Sequence, residues 1–149
     1  MTTQGEFSVT IQAPPSVVWP WIAQLEKHVE WSTKDYRVDW ISGEPNAVGS
    51  RYRSVGWVPG DKHHVNEGTI TESVPNERFA LNADDKEGTF HNTYVLRDLG
   101  ESTEVTFHLV FPEMKGVAAI LAPPLFATIG KSDTRKRMQR LKQQVEASA

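Results

Sequence analysis

Three side chains of this sequence could carry general acid–base chemistry on a bound carbonyl compound: His64, Tyr94 and Glu72. A cyclase or dehydratase needs a proton acceptor and a proton donor beside its substrate, and these residue types supply both. The same groups could instead orient a ligand or hold a water molecule. We favour ligand contact over catalysis, because the sequence identifies no supporting partner for any of the three.

Other reactive sites find little support. His63 and His64 are adjacent in a predicted strand and point to opposite faces, so they cannot easily share a metal ion. His91 and His108 are diagonal neighbours on an outer face without a convergent carboxylate. We therefore expect no metal and no cofactor. The chain has no cysteine, no Gly-x-Ser-x-Gly elbow and no phosphate-binding glycine loop, which argues against thiol, serine-hydrolase and nucleotide chemistry.

The composition fits one domain that spans residues 1–149. The net charge of −3 argues against general nucleic-acid binding. We expect a cytoplasmic protein without stable membrane insertion, because neither a signal-peptide pattern nor an apolar run of membrane-spanning length is evident. Only 38% of the residues are hydrophobic, yet five Trp, six Phe and three Tyr are present. The core must therefore be built from few, large side chains.

Positive charge is concentrated near the end of the chain. Residues 131–149 hold six basic and two acidic side chains. Such a segment could bind an anionic partner, for example lipid head groups or nucleic acid. We favour a solvated face of an amphipathic helix, because apolar residues recur in the same segment at helical spacing.

Hydrophobic periodicity predicts a strand, two helical segments and six further strands. Alternation over 6–12 is typical of a strand with one buried face. Ser16 is the predicted cap of a first helix, with Pro20 in its first turn, and a second helical segment covers 26–31. Period-two segments separated by turn residues then predict an antiparallel meander with strands at 36–41, 50–57, 63–73, 78–83, 89–97 and 103–111.

The last third of the chain predicts a long helix. Pro123 and Pro124 should break or kink its approach. One apolar stripe and a basic opposite face are predicted from the spacing of Leu125, Ile129, Met138, Leu141 and Val145.

Turn positions also predict which strand residues face inward. Pairing Asp98 with Thr103 places Tyr94 opposite Phe107, on one face with Phe90, Asn92, Leu96, Val105, Leu109 and Phe111. Pairing Ser73 with Arg78 sets Leu81 opposite Ile70, and Phe79 opposite Glu72. The following turn sets Ala83 beside Phe90, and His64, Asn66 and Gly68 share that face. For 50–57 two registers stay open, with either Tyr52 or Val55 and Trp57 inside.

The inner face mixes aromatic rings with polar groups, namely His64, Asn92 and the Tyr94 hydroxyl. In a sealed core each unsatisfied group would cost about 1–3 kcal/mol. A hydrated or ligand-filled cavity between sheet and helix would satisfy them. The alternative is a plain core in which these groups bond to each other, to the backbone or to trapped water. We favour the cavity.

Short sequence stretches, spread along nearly the whole chain, match the pattern of a known protein family in their residues and their order. The first runs from Val9 to Trp19 and includes Ala13-Pro14-Pro15 and Val18-Trp19. The others are His28 to Trp31, Val48 to Tyr52, Glu67 to Glu72, Pro75 with Arg78 and Phe79, Thr93 to Leu96, and Thr103 to Thr106. Together they resemble the polyketide cyclase/dehydrase and lipid-transport family of the START-like superfamily, which includes the birch-pollen allergens.

The resemblance implies the α+β helix-grip fold, with a curved seven-stranded antiparallel sheet wrapped on a long C-terminal helix and two short helices after the first strand. It also implies a deep apolar cavity, without a shared set of catalytic residues. We expect the cavity to be lined by Trp31, Trp40, Tyr52, Trp57, His64, Phe79, Leu81, Phe90, Asn92, Tyr94, Phe107, Phe111, Leu121, Leu125 and Phe126.

We therefore expect a protein that binds a small hydrophobic, ring-containing molecule as a carrier, sensor or store. One alternative is a cyclase, aromatase or dehydratase that uses His64, Tyr94 or Glu72. Another is a protein-interaction module that resembles heat-shock ATPase activators. We expect the small molecule as the partner, no nucleic acid, and leave a homodimer open.

Overall fold

The computed structural model describes residues 4–58, 61–85, 88–113, 115–125, 127 and 130–149. The strands in this part of the chain are β1 (Gln4–Ile11), β2 (Tyr36–Ser42), β3 (Arg51–Val58), β4 (Asp61–Val74), β5 (Arg78–Asp85), β6 (Gly88–Asp98) and β7 (Thr103–Val110). The helices are α1 (Pro15–Ala23), α2 (Leu25–Trp31), α3 (Val117–Leu125) and α4 (Lys131–Ser148).

All seven strands form one antiparallel sheet in the order β1-β7-β6-β5-β4-β3-β2. Strands β2 to β7 are the predicted meander. The first strand closes the far edge by pairing with the last, with Gln4 opposite Val110 and Ile11 opposite Thr103. The predicted element order and the α+β class are confirmed.

The first helix begins two residues earlier than the sequence suggested. Pro14 is its N-cap, Pro15 is its first residue, and no side chain caps it, so the predicted capping by Ser16 was wrong. Pro20 accordingly lies beyond the first turn, where its missing N–H removes a helical hydrogen bond. The helix ends soon afterwards at Ala23, and the extended residue Gln24 leads directly into α2.

The register of the last hairpin is as predicted, with Tyr94 opposite Phe107 and Asp98 opposite Thr103. In the β4–β5 hairpin, the register far from the turn is as predicted, up to the pair of Ile70 with Leu81. A β-bulge at Thr71 then shifts the pairing by one residue, so Phe79 lies opposite Ser73 and not opposite Glu72. The predicted pairs Phe79–Glu72 and Ser73–Arg78 were therefore both wrong, since Arg78 lies opposite Val74.

Strand β3 points Tyr52 inward, which decides between the two registers left open. Tyr52 is buried and lies opposite Gly68 of β4. A Cβ atom at Gly68 would overlap the Tyr52 ring and the carbonyl oxygen of Asn82. Glycine at this position therefore lets the tyrosine ring lie flat across β4.

The long helix α4 packs on the sheet through Met138, Leu141 and Val145, all buried as predicted. Its last turns are held to β1 by polar contacts as well. Lys142 Nζ donates to the Thr10 carbonyl oxygen at 2.8 Å. The Gln12 amide donates to Glu146 Oε2, also at 2.8 Å. Helix α4 is thereby fixed along the sheet at its C-terminal end.

The exposure of helix α3 contradicts the prediction that Leu121 and Leu125 line the cavity. Leu121 is 51% exposed and Leu125 is 54% exposed, and α3 has no buried residue. Pro123 and Pro124 lie inside α3, which ends one residue after them. Phe126, another predicted lining residue, and Ile129 of the predicted apolar stripe lie outside the described residues.

Candidate ligand-binding site

A cavity of about 290 Å³ lies between the sheet and helices α2 and α4. Its volume is near the lower end of the range for small-molecule sites, which suits a molecule of one or a few rings. Polar residues outnumber aliphatic ones in the lining, which comprises Leu25, His28, Ser32, Thr33, Lys34, Tyr36, Val38, Tyr52, Ser54, Gly56, His64, Asn66, Leu81, Ala83, Asn92, Tyr94, Asp133 and Arg137.

His28 of α2 is a buried neutral histidine at the cavity wall. Its Nε2–H donates to the Ile22 carbonyl oxygen at 2.6 Å, so Nδ1 carries the lone pair. Burial is the main cause that lowers the pKa of His28 to about 4. The positive charge of Arg137 acts in the same direction, and the hydrogen bond to Ile22 opposes both. At neutral pH the ring is therefore uncharged and offers its second nitrogen only as an acceptor.

Tyr94 of β6 lies among aromatic rings. Its ring stacks on Phe107 with centroids 4.6 Å apart and meets the edges of His28 at 5.6 Å and Trp31 at 6.1 Å. Burial raises the pKa of the Tyr94 hydroxyl, while the charge of Arg137 and a hydrogen bond from it act in the opposite direction. The phenol therefore stays protonated at neutral pH and keeps a proton to donate.

Arg137 reaches the cavity from α4. Its guanidinium carbon lies 5.5 Å from the Trp31 ring centroid and 5.9 Å from that of Phe107, within range of cation–π attraction. Asp133, one turn earlier, accepts a hydrogen bond from the Thr33 hydroxyl at 2.7 Å. Among the described residues, no carboxylate lies within ion-pair distance of Arg137. The guanidinium is therefore held against the Trp31 and Phe107 rings, where it lines the cavity together with Tyr94.

The opposite wall of the cavity is made by β3 to β5. The Tyr52 hydroxyl donates to the Asn82 carbonyl oxygen at 3.0 Å, and burial raises the pKa of Tyr52. His64 Nε2 and Asn66 Oδ1 lie 3.0 Å apart on the same strand. This wall therefore presents polar side chains whose mutual bonds fix their orientation.

Nearly the whole chain, from residue 2 to residue 146, matches the family model described as polyketide cyclase/dehydrase and lipid transport. The chain belongs to this family. Its predicted membership is thus confirmed, and the family favours a role in binding or cyclising a hydrophobic molecule.

Solved structures of other proteins confirm that this polyketide cyclase/dehydrase family member has the helix-grip fold. TTHA0849 from Thermus thermophilus is 18% identical, with a TM-score of 0.76 and 99% of each chain covered. The Zhui aromatase/cyclase from Streptomyces sp. R1128 is 13% identical, with a TM-score of 0.79, 98% of this chain and 94% of that one covered. Ara h 8.0201 is 12% identical, with a TM-score of 0.74 and 99% of each chain covered. No curated protein is significantly similar in sequence.

In this family member the structure brings five of the predicted lining residues to the cavity: Tyr52, His64, Leu81, Asn92 and Tyr94. Three others, Trp31, Phe79 and Phe107, are fully buried in the core behind it. Trp40 lies outside the cavity, where its ring packs edge-on against Tyr52 at 6.2 Å and its Nε1 donates to Glu26.

The other predicted residues lie elsewhere. Phe90 and Phe111 pair with each other at 5.2 Å, away from the lining. Leu121 and Leu125 are exposed on α3. The bulge at Thr71 leaves the Glu72 carboxylate on the surface, 2.9 Å from Arg78 Nε, which removes it from the candidate acid–base set. Trp57 lies in β3, and its side chain is outside the described part, as is Phe126.

Sequence reasoning missed His28 and Arg137 as lining residues. Arg137 was assigned to the basic outer face of the last helix. Its position, three residues after Thr134 and four before Leu141, places it beside the buried stripe, and that spacing was the available signal. His28 has helical spacing with Leu25, which is also buried.

Among the described residues, no three histidine, aspartate or glutamate side chains are grouped closely enough to hold a metal ion. In the same part of the chain, no helix has both the length and the apolar character needed to cross a membrane.

Proposed function

We propose that this protein binds a small ring-containing molecule in the cavity between α4 and the sheet, as a carrier, sensor or store. The observation that carries the proposal is the cavity itself, in which the Tyr94 hydroxyl, His28 and Asn92 face a space of about 290 Å³ beside Leu81 and Tyr52. The apolar side chains can enclose a flat, mostly apolar molecule, and the polar side chains can orient it by hydrogen bonds.

Binding accounts for the electrostatics of the cavity better than catalysis does. A general acid or base works best with a pKa near the operating pH. Burial moves the pKa of His28 down to about 4, and it moves the pKa of Tyr94 upward. Both shifts leave these groups in their neutral forms at pH 7, which suits fixed hydrogen-bonding roles.

Filling the cavity tests the proposal. Leu81→Trp places a larger side chain in the lining, whereas Leu99→Trp makes the same change at a surface turn. Isothermal titration with 2-naphthamide, a neutral two-ring probe, should show binding to the wild type and to Leu99→Trp, and at least tenfold weaker binding to Leu81→Trp. Equal affinity for both variants would place the probe outside the cavity and contradict the proposal.

Native mass spectrometry of the protein as purified gives an independent measurement. A bound small molecule that is lost in Leu81→Trp and kept in Leu99→Trp would supply the identity of the ligand. A partner protein bound equally by both variants would favour the interaction module instead.

A cyclase role is the second candidate, supported by the family description and by the place of His64 in the cavity wall. It predicts that His64→Asn abolishes turnover of a polyketide-like substrate and leaves its affinity unchanged. Loss of affinity and turnover together would assign His64 to binding.

A further inference from the structure

Arg137 brings a positive charge to the cavity wall that no carboxylate of the described residues meets at ion-pair distance. Asp133 supplies the one carboxylate among the described lining residues. That carboxylate accepts a hydrogen bond from Thr33 and makes no ion pair with Arg137. His28 adds no charge at neutral pH, since burial holds its pKa at about 4.

Arg137 acts on the interior of the cavity. It lies close enough to His28, Tyr36 and Tyr94 for its charge to lower the pKa of each, although burial is the larger effect in all three. A guanidinium placed over two ring faces is partly withdrawn from water, which strengthens its attraction for an anion.

The Tyr94 hydroxyl completes a pair of donors. It lines the same cavity as Arg137, and because burial raises its pKa it keeps its hydrogen to donate. Two convergent donors, one of them charged, match the two oxygens of a carboxylate better than they match a neutral carbonyl.

We propose that the ligand of this cavity is a small aromatic or alicyclic carboxylic acid, whose carboxylate binds Arg137 and the Tyr94 hydroxyl while its ring lies against Leu81 and Tyr52. This rests on the proposed binding function and deepens it, because it names the chemical class of the ligand. Arg137 and Tyr94 are then the residues that select an acid over a neutral molecule of the same shape.

The test compares two probes of nearly equal shape, 2-naphthoate and 2-naphthamide, by isothermal titration at pH 7.5. The wild type should bind the carboxylate about 10- to 100-fold more tightly than the amide, the usual range for a charged hydrogen-bonded pair. Arg137→Gln should abolish this preference and leave the affinity for the amide within about twofold. Arg137→Lys should keep part of it.

Arg140→Gln is the matched control, because Arg140 is exposed on the same helix. It should retain the full preference, and loss of preference in this variant as well would point to a general charge effect and contradict the proposal. Tyr94→Phe should reduce the preference severalfold, and an unchanged preference would remove the hydroxyl from the site.

Different results would overturn the binding function and the preference for an acid. If the wild type binds both probes equally, or if Arg137→Gln keeps the preference, the acid proposal is overturned and the binding function stands. If the wild type binds neither probe, the binding function falls and the acid proposal falls with it. The wild-type comparison decides the matter even if Arg137→Gln does not fold.

Discussion

The Nε2 atom of His28 lies 2.6 Å from the carbonyl oxygen of Ile22, across the junction between α1 and α2. Both residues are buried, and the bond gives the last turn of α1 a donor that the helix itself does not supply. A neutral imidazole therefore holds the two short helices together.

Acid should weaken the fold through this histidine. The pKa of His28 is about 4 when folded and 6.5 when unfolded, so the unfolded chain binds more protons between these values. The contribution of the neutral ring is complete above about pH 6.5 and is lost as the pH falls toward 4, on the order of 3 kcal/mol in all. Urea unfolding at pH 7.5 and 4.5 measures it.

His28→Gln should be less stable than the wild type at pH 7.5 and should lose less stability between the two pH values. Leu25→Ala provides the control, because it removes a buried side chain of the same helix that does not titrate, and it should follow the wild-type pH dependence. A pH dependence for His28→Gln equal to that of the wild type would contradict the assignment.

Gly68→Ala should destabilise the protein by about 1–3 kcal/mol, because the new methyl group overlaps the Tyr52 ring and the Asn82 backbone. Gly100→Ala separates this effect from backbone strain. Gly100 has a φ of +93°, and a Cβ there meets open space, so its cost should be about 1 kcal/mol. Urea midpoints that rank Gly100→Ala as the more damaging change would refute the overlap.

Truncation to alanine should lower the free energy of unfolding by very different amounts at Leu141 and at Leu121. Leu141 is fully buried under the sheet, so Leu141→Ala should lose about 2–5 kcal/mol of unfolding free energy. Leu121 is 51% exposed, so Leu121→Ala should stay within about 0.5 kcal/mol of the wild type and keep the same affinity for 2-naphthamide. Thermal and urea unfolding give the first comparison, and titration gives the second. A large loss of affinity in Leu121→Ala would contradict this and show that α3 contributes to the binding site.

Removing the Glu146 carboxylate should loosen the attachment of α4 to β1. A hydrogen bond from Lys142 and one from the Gln12 amide lower the pKa of Glu146. In Glu146→Ala the Gln12 amide loses its acceptor and should exchange with deuterium severalfold faster, whereas Glu101→Ala, at an exposed turn, should leave it unchanged. Equal protection of Gln12 in both variants would show that the Glu146 carboxylate does not hold this end of α4 to β1.

Much of the sheet could be predicted from sequence, because tight turns and alternating side chains fix strand register. The pairing of Tyr94 with Phe107 followed from one assumed pair at the Asp98–Thr103 turn. The same reasoning failed at Glu72, because a bulge at Thr71 adds one residue that no alternation pattern records.

The cavity was predictable in kind but only partly in its residues. Polar residues on an inner face, such as Asn92, indicated a space that needed filling. Arg137 was missed because a charged residue beside a buried stripe is usually solvated, and its spacing from Thr134 and Leu141 does not show whether such a residue faces a cavity or solvent. The exposure of Leu121 was equally hidden, since helical periodicity does not say which surface a helix will meet.

The pairing of the first strand with the last has a consequence for folding during synthesis on the ribosome. The hydroxyls of Ser8 and Thr106 meet at 2.9 Å although 98 positions separate them in the chain. Strand β1 leaves the ribosome first and must wait for nearly all of the meander before its partner exists. Contacts so distant in sequence slow folding, because a long loop must close before they form. During synthesis Phe7, Val9 and Ile11, which are buried on one side of β1 in the folded protein, therefore stay without their β7 partner until the last strand has been made.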